Sequence, residues 1–132
     1  MINSLASLTG MSAATDRLSA IASNVANMNS GGGLPKTGAP IGQEAYKPIR
    51  VEQSSQGASG GTYATMRSTT PAYLAVYDPG ASYADENGMV AMPNVDPVQE
   101  MTGLVEATAN FKLNAKTLEA QNELVKKLYD LA

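Results

Sequence analysis

This chain has no cysteine, no histidine and no tryptophan among its 132 residues, and a single phenylalanine. Without cysteine there is no disulfide, no thiol nucleophile and no thiolate metal site. Without histidine the usual general base near neutral pH is missing, along with the commonest metal ligand. A cysteine-free chain also suits passage through oxidising space, where mispairing is a hazard. The shortage of bulky aromatics, beside 12 Gly and 7 Pro, predicts a thin core. The hydrophobic share of 43% is inflated by alanine, which adds little buried area. Net charge is −3 and the basic residues cluster only at Lys126 and Lys127, so no nucleic-acid partner is expected, because backbone-phosphate binding needs grouped Lys and Arg. Met1 to Ala20 has no basic start and no long apolar run, being interrupted by Asp16 and Arg17. It therefore reads as neither a cleavable secretory signal nor a membrane-inserting helix.

What is present falls into three compositional parts. From Asn3 to Asn29, Met11, Ala14, Leu18, Ile21, Val25 and Met28 recur at alternating steps of three and four, an a/d heptad seam. Ile2, Leu5 and Leu8 form an earlier stripe offset by about one position, with Gly10 between the two, which implies a local kink or a second contact face. An N-terminal helix is expected within residues 1–30. Ser30 to Gly42 holds five Gly and two Pro, so residues 31–44 read as a linker.

At the other end, Asp96, Pro97 and Gln99 read as N-cap, proline at the first helical position and a near capping box. A second helix is expected over 96–132. Its seam runs Met101, Leu104, Thr108, Phe111, Ala115, Leu118, Asn122, Val125, Tyr129 and Ala132. At about 1.5 Å per residue it would span roughly 50 Å, a length that suits a bundle or coiled coil rather than a small globule.

The middle, residues 45–95, reads as β-structure and loops. Ile49 and Val51 alternate with Arg50 and Glu52, and Tyr73, Ala75 and Tyr77 alternate with Leu74 and Val76. Asn87-Gly88 reads as a two-residue hairpin turn leading into Met89 to Met92, and Ser54 to Thr62 as a flexible loop. Pro48 and Pro71 confine these strands to edges or strand starts. The predicted fold class is therefore mainly α with a small β part: two long terminal helices packed together as one coiled-coil or tube domain, with a hairpin-containing segment between them.

Candidate chemistry is sparse. Asp85-Glu86-Asn87-Gly88 suggests a calcium loop, but with Gly88 in the sixth position the first ligand would be Tyr83, which does not fit. Gly31 to Gly33 lacks the preceding strand and the Lys-Ser/Thr of a phosphate loop. No catalytic residue, cofactor or metal site is expected. The apolar stripes are the features that stand above background.

Ser23-Asn24-Val25-Ala26-Asn27-Met28-Asn29 resembles the N-terminal signature of the flagellar axial proteins, the family of rod, hook and filament-junction subunits. Tyr77-Asp78-Pro79, then Asn87-Gly88, then Pro93-Asn94-Val95 are similar to the proximal-rod members of that family. The resemblance implies a structural subunit, not an enzyme. It would be exported through the flagellar type III apparatus with an uncleaved N-terminus and would assemble in the periplasm with copies of itself and neighbouring rod proteins. The assembly interface expected from it comprises Met11, Leu18, Ile21, Val25 and Met28 on the first helix, and Met101, Leu104, Phe111, Leu118 and Val125 on the second. Asn24, Asn27 and Asn122 would hydrogen-bond across helices or fix the register. Two other classes stay open: a needle or translocator-type coiled coil of a type III secretion system, and a small enzyme or ligand-binding module. The first would need no hairpin block, and the second would need a packed monomer with a pocket.

Overall fold

The computed structural model describes residues 4–35, 43–55, 57 and 60–131. Ile2, Ala132, residues 36–42 of the expected linker and part of the expected 54–62 loop lie outside the described residues. The elements in chain order are α1 (Ser4–Asn27), β1 (Ile49–Ser55), β2 (Thr62–Ser68), β3 (Tyr73–Tyr77), β4 (Met89–Pro93) and α2 (Pro97–Asp130). Two terminal helices with a small β middle are thus what the chain forms.

The α2 start follows from the sequence. Asp96 holds an extended backbone, and its carboxylate accepts from the Val98 and Gln99 amides, at 2.9 and 3.4 Å. It satisfies amide donors that have no partner within the first turn, and Pro97 has no amide to satisfy. With 34 residues, α2 is about 51 Å long.

Helices α1 and α2 pair antiparallel. Asn24 meets Glu100, Ile21 lies against Gly103, and Gly10 lies against Asn114. Each step back along α1 is matched by an equal step forward along α2. That register sets Ser4 level with Ala120, so the last turns of α2 run past the described start of α1. Leu124, Val125, Leu128, Tyr129 and Leu131 are all exposed there. Gly10 causes no break, because α1 is continuous; its role is close approach. A Cβ at Gly10 would come within 2.8 Å of the Asn114 side chain.

The β part is two separate antiparallel hairpins, β1 with β2 and β3 with β4. β2 is a strand that the sequence reading placed partly in a loop: Ser54 and Ser55 pair with Tyr63 and Thr62. The expected two-residue Asn87-Gly88 hairpin is also corrected. β3 and β4 are joined by residues 78–88, and only Gly88 in the turn has positive φ (74°), whereas a two-residue type I′ turn needs it at both central residues. Instead Asp85 begins a four-residue turn, with its carbonyl accepting from the Gly88 amide (2.9 Å) and its carboxylate from the Asn87 and Met89 amides (2.8 and 2.9 Å). Asp at the first position and Gly at the fourth suit a type I turn.

The Gly31 to Gly33 run is built into the fold rather than spanning open space. Gly32 and Ala91 exchange both backbone hydrogen bonds (2.9 and 2.8 Å), and Gly33 donates to the Gln43 carbonyl (2.8 Å). A Cβ on Gly32 would run into the backbone of Gln43, Glu44 and Ala45. The core itself is thin. Among the described residues its buried apolar side chains include Ala13, Ala14, Ala20 and Ala107 around the helices, and Ala45, Pro48, Val90 and Ala91 in the β part.

Candidate functional site

The arrangement begins with Asn24, which is 3% exposed. Its amide nitrogen donates to the Ile49 carbonyl (2.8 Å) and to Glu100 Oε1 (2.7 Å). Its carbonyl oxygen accepts from the Ile49 amide (2.9 Å) and the Tyr46 hydroxyl (3.1 Å). The hydrogen-bonding capacity of the carboxamide is filled. Asn24 therefore joins α1, α2 and β1 inside the subunit, and its bond across helices is intramolecular. Asn27 makes only local bonds, donating to the Ser23 carbonyl (2.9 Å) and accepting from the Ser30 hydroxyl (3.4 Å), and Asn122 is exposed.

The hairpin β1–β2 lies along one side of α1. Asn24 holds its open end at Ile49, and Thr9 Oγ1 accepts from the Thr62 amide (3.1 Å) at its tip. Fifteen helical positions separate Thr9 from Asn24, about 22 Å, which matches a seven-residue strand at about 3.3 Å per residue.

The residues between the two helices are mostly small: Gly10 on α1 meets Asn114 on α2, Gly103 on α2 meets Ile21 on α1, and Ala14 and Ala107 are buried. The large apolar stripes that the sequence marks as an assembly interface are displaced from this contact. At about 100° per residue, Met11, Leu18 and Val25 turn to one side of the α1 contact line, and Met101, Leu104, Phe111 and Ala115 to one side of the α2 line. In an antiparallel pair these are the same side of the molecule. Met11 accordingly lines one shallow depression with Ala115, Leu118 and Asn122. Hairpin β1–β2 occupies the opposite side, where a cleft is lined by Ala20, Asn24, Ile49, Val51, Glu100 and Gly103.

The result is an open apolar face spanning both helices. Leu104 is 46% exposed and Val25 43%; Leu8, Met101 and Phe111 are exposed, while Met11, Leu18 and Leu118 are half-buried at its edge. Ile21 and Met28 are half-buried near the helix contact, and Val125 lies on the overhanging end of α2. Offset by about one helical position, the heptad count followed the large apolar residues, whereas glycine and alanine let the backbones approach closely. The pairing of Gly10 and Gly103 with opposite-helix side chains was the signal for this, and it carries no hydrophobic periodicity.

The motif residues gather at the two ends of hairpin β3–β4. At one end Asp78 donates its amide to the Gly88 carbonyl (2.9 Å), and Gly88 fits against Tyr77 and Pro79, where a Cβ would lie 2.9 Å from the Tyr77 ring. At the other end Asn94 donates through its amide to Ala72 and through its side chain to Pro71, both at 3.0 Å. Pro93 and Val95 then lead into the Asp96 cap. These residues shape turns, and among the described residues no group of three or more Asp or Glu side chains is placed to hold a metal ion.

Comparison with known proteins first gives the class. Residues 5–33 match the family described as flagella basal body rod protein, and residues 86–131 match flagellar basal body rod FlgEFG protein C-terminal. These stretches contain α1 with the Gly31 to Gly33 run, and β4 with α2.

Relatives matching over nearly the whole chain give the particular family. The flagellar basal-body rod protein FlgC of Salmonella typhimurium is 34% identical over 127 residues, covering 92% of this chain and 89% of that protein. Its counterpart in Aquifex aeolicus is 29% identical, with 94% and 90% covered, and that of Bacillus subtilis is 24% identical, with 95% and 93% covered. The chain belongs to the FlgC family of flagellar basal-body rod proteins, and is a structural subunit of the rod.

Proposed function

We propose that the open apolar face and the overhanging end of α2 are the surfaces through which this subunit packs against copies of itself and neighbouring rod proteins in the proximal part of the rod. The observation that carries this is the displacement of the large apolar stripe out of the helix contact and into solvent. A compact protein of 13.7 kDa is expected to expose about 6,600 Å², but this chain exposes 8885 Å². A rod neighbour would cover that excess.

The free subunit folds but is only marginally stable in this reading. Ordering a residue costs about 1 to 2 kcal/mol, and the helix contact, rich in Gly and Ala, buries few large side chains to offset it. A marginally stable free subunit also suits export in an unfolded state through the type III apparatus with an uncleaved N-terminus, followed by assembly in the periplasm. Among the described residues no helix is long and apolar enough to cross a membrane.

The test replaces exposed residues, so that assembly changes while the fold does not. Leu104→Asp with Phe111→Asp should leave the circular dichroism of the purified subunit unchanged and stop rod building in cells, because unpaired carboxylates cannot be buried at a subunit contact. Lys116→Ala should support normal rods. Complete rods in cells carrying only the double variant would overturn the proposal.

A further inference from the structure

Each strand of a two-stranded hairpin has one outer edge, and three of the four strands meet a partner there within the subunit. Asn24 pairs with both backbone groups of Ile49 on β1, Thr9 accepts from Thr62 on β2, and Gly32 exchanges two hydrogen bonds with Ala91 on β4. Among the described residues no strand, bridge or side-chain hydrogen bond engages the outer edge of β3.

The ladder fixes which groups point outward. Asn94 donates to Ala72 and Asp78 donates to Gly88, so the mutually bonded pairs of the hairpin are Leu74 with Met92 and Val76 with Val90. The amides and carbonyls of Tyr73, Ala75 and Tyr77 then face away from β4. The strand Tyr73 to Tyr77 has no charge and no proline, and its Leu74, Val76 and Tyr77 side chains are exposed. Soluble proteins usually blunt such an edge with lysine, proline or a bulge.

We propose that the outer edge of β3 is a strand-addition site for a second copy of this chain, and that it takes the outer edge of that copy's β2. This rests on the assembly reading above. A β3-to-β3 contact would close a dimer, whereas a rod needs a head-to-tail contact that propagates. Gly32 occupies the β4 edge, and the β1 edge continues from Asn24 into the cleft beside α2. The β2 edge is held only at Thr62. Because Thr69 donates to Pro48, the outward positions beyond it are Ala64, Met66 and Ser68, and Met66 is exposed. Each hairpin would gain a third strand, which two-stranded sheets need for independent stability.

The test uses two independent variants. Ala75→Pro removes an outward amide while sparing the β3–β4 ladder, and should reduce hook-bearing basal bodies at least about tenfold, a loss worth about 1.4 kcal/mol per factor of ten in an equilibrium contact. Ala75→Ser, which keeps the amide, should leave the count unchanged. Amide protection of Leu74 and Val76 in the purified Ala75→Pro subunit shows whether its hairpin is intact. If it is not, a cysteine pair decides, since the chain has no cysteine of its own. Met66→Cys with Ala75→Cys should give self-linked chains on mild oxidation of assembled rods, while neither single variant does. Normal rods from a folded Ala75→Pro subunit would overturn the proposal. So would a cysteine pair that never links to itself, or links only to a different rod protein. If Leu104→Asp with Phe111→Asp stops rods while Ala75→Pro does not, only the strand contact fails; if both build rods, the assembly reading fails.

Discussion

The side chain of Asn24 pairs with the backbone of Ile49 as a neighbouring strand would, donating to its carbonyl at 2.8 Å and accepting from its amide at 2.9 Å. The same carboxamide reaches Glu100 at 2.7 Å, so one buried residue sets the hairpin and α2 against α1. Asn24→Ala leaves the Ile49 amide, the Ile49 carbonyl and Glu100 without this partner. At roughly 1 to 3 kcal/mol for each buried unsatisfied group, the expected loss is at least about 2 kcal/mol in urea unfolding of the purified subunit. Asn24→Asp should cost more, because it removes both donors and sets a carboxylate against Glu100. Equal stability of Asn24→Asp and the unaltered chain would show that these bonds do not hold the junction.

The helix contact makes opposite forecasts for two glycines. A Cβ at Gly103 meets only the end of Ile21, at 3.2 Å, and alanine gains about 1 kcal/mol of helix propensity. Gly103→Ala should therefore be neutral or stabilising. A Cβ at Gly10 meets three atoms of Asn114 at 2.8 to 2.9 Å, and Asn114 is itself bonded to the Asn110 carbonyl at 2.8 Å. Gly10→Ala should destabilise, and adding Asn114→Ala should restore what was lost. Thermal midpoints of the single and double variants measure this coupling directly.

Gly32 should be the least replaceable glycine in the described chain. Gly32→Ala drives a methyl group into the backbone of residues 43–45, and should abolish exchange protection of the Gly32 and Ala91 amides. Gly57→Ala has open space around it and carries only the cost of a positive φ of 64°, about 1 kcal/mol. Amide exchange read by NMR on both variants separates the two effects.

Much of this architecture was legible in the sequence, and the exceptions have physical causes. Asp96-Pro97 announced α2 because a helix start needs local donors and acceptors that adjacent residues provide. β1 and β3 showed through alternation, and β4 as the apolar run after Asn87-Gly88. β2 was hidden: its run of Thr62, Tyr63, Ala64, Thr65, Met66, Arg67 and Ser68 adjoins a Gly-rich stretch and is only partly buried, so little hydrophobic contrast marks it. Asn87-Gly88 misled because the dipeptide fixes a turn but not which strands flank it. The heptad seams located the large apolar residues, but not the small residues on which the two helices meet. A subunit of a larger assembly spends small residues on its own helix pair and turns large ones toward neighbours, and periodicity alone does not tell the two faces apart.

The central claim, that the large apolar stripe is covered by neighbouring subunits rather than by the partner helix, is tested most directly by the accessibility of residue 104. Leu104→Cys introduces the chain's only thiol, at a position 46% exposed in the isolated subunit. Maleimide should modify it readily in purified monomer and fail to modify it in isolated basal bodies that have rods, until the rods are dissociated. Equal modification in monomer and intact rod would contradict the account, because the face would then be open to solvent in the assembly it is meant to build.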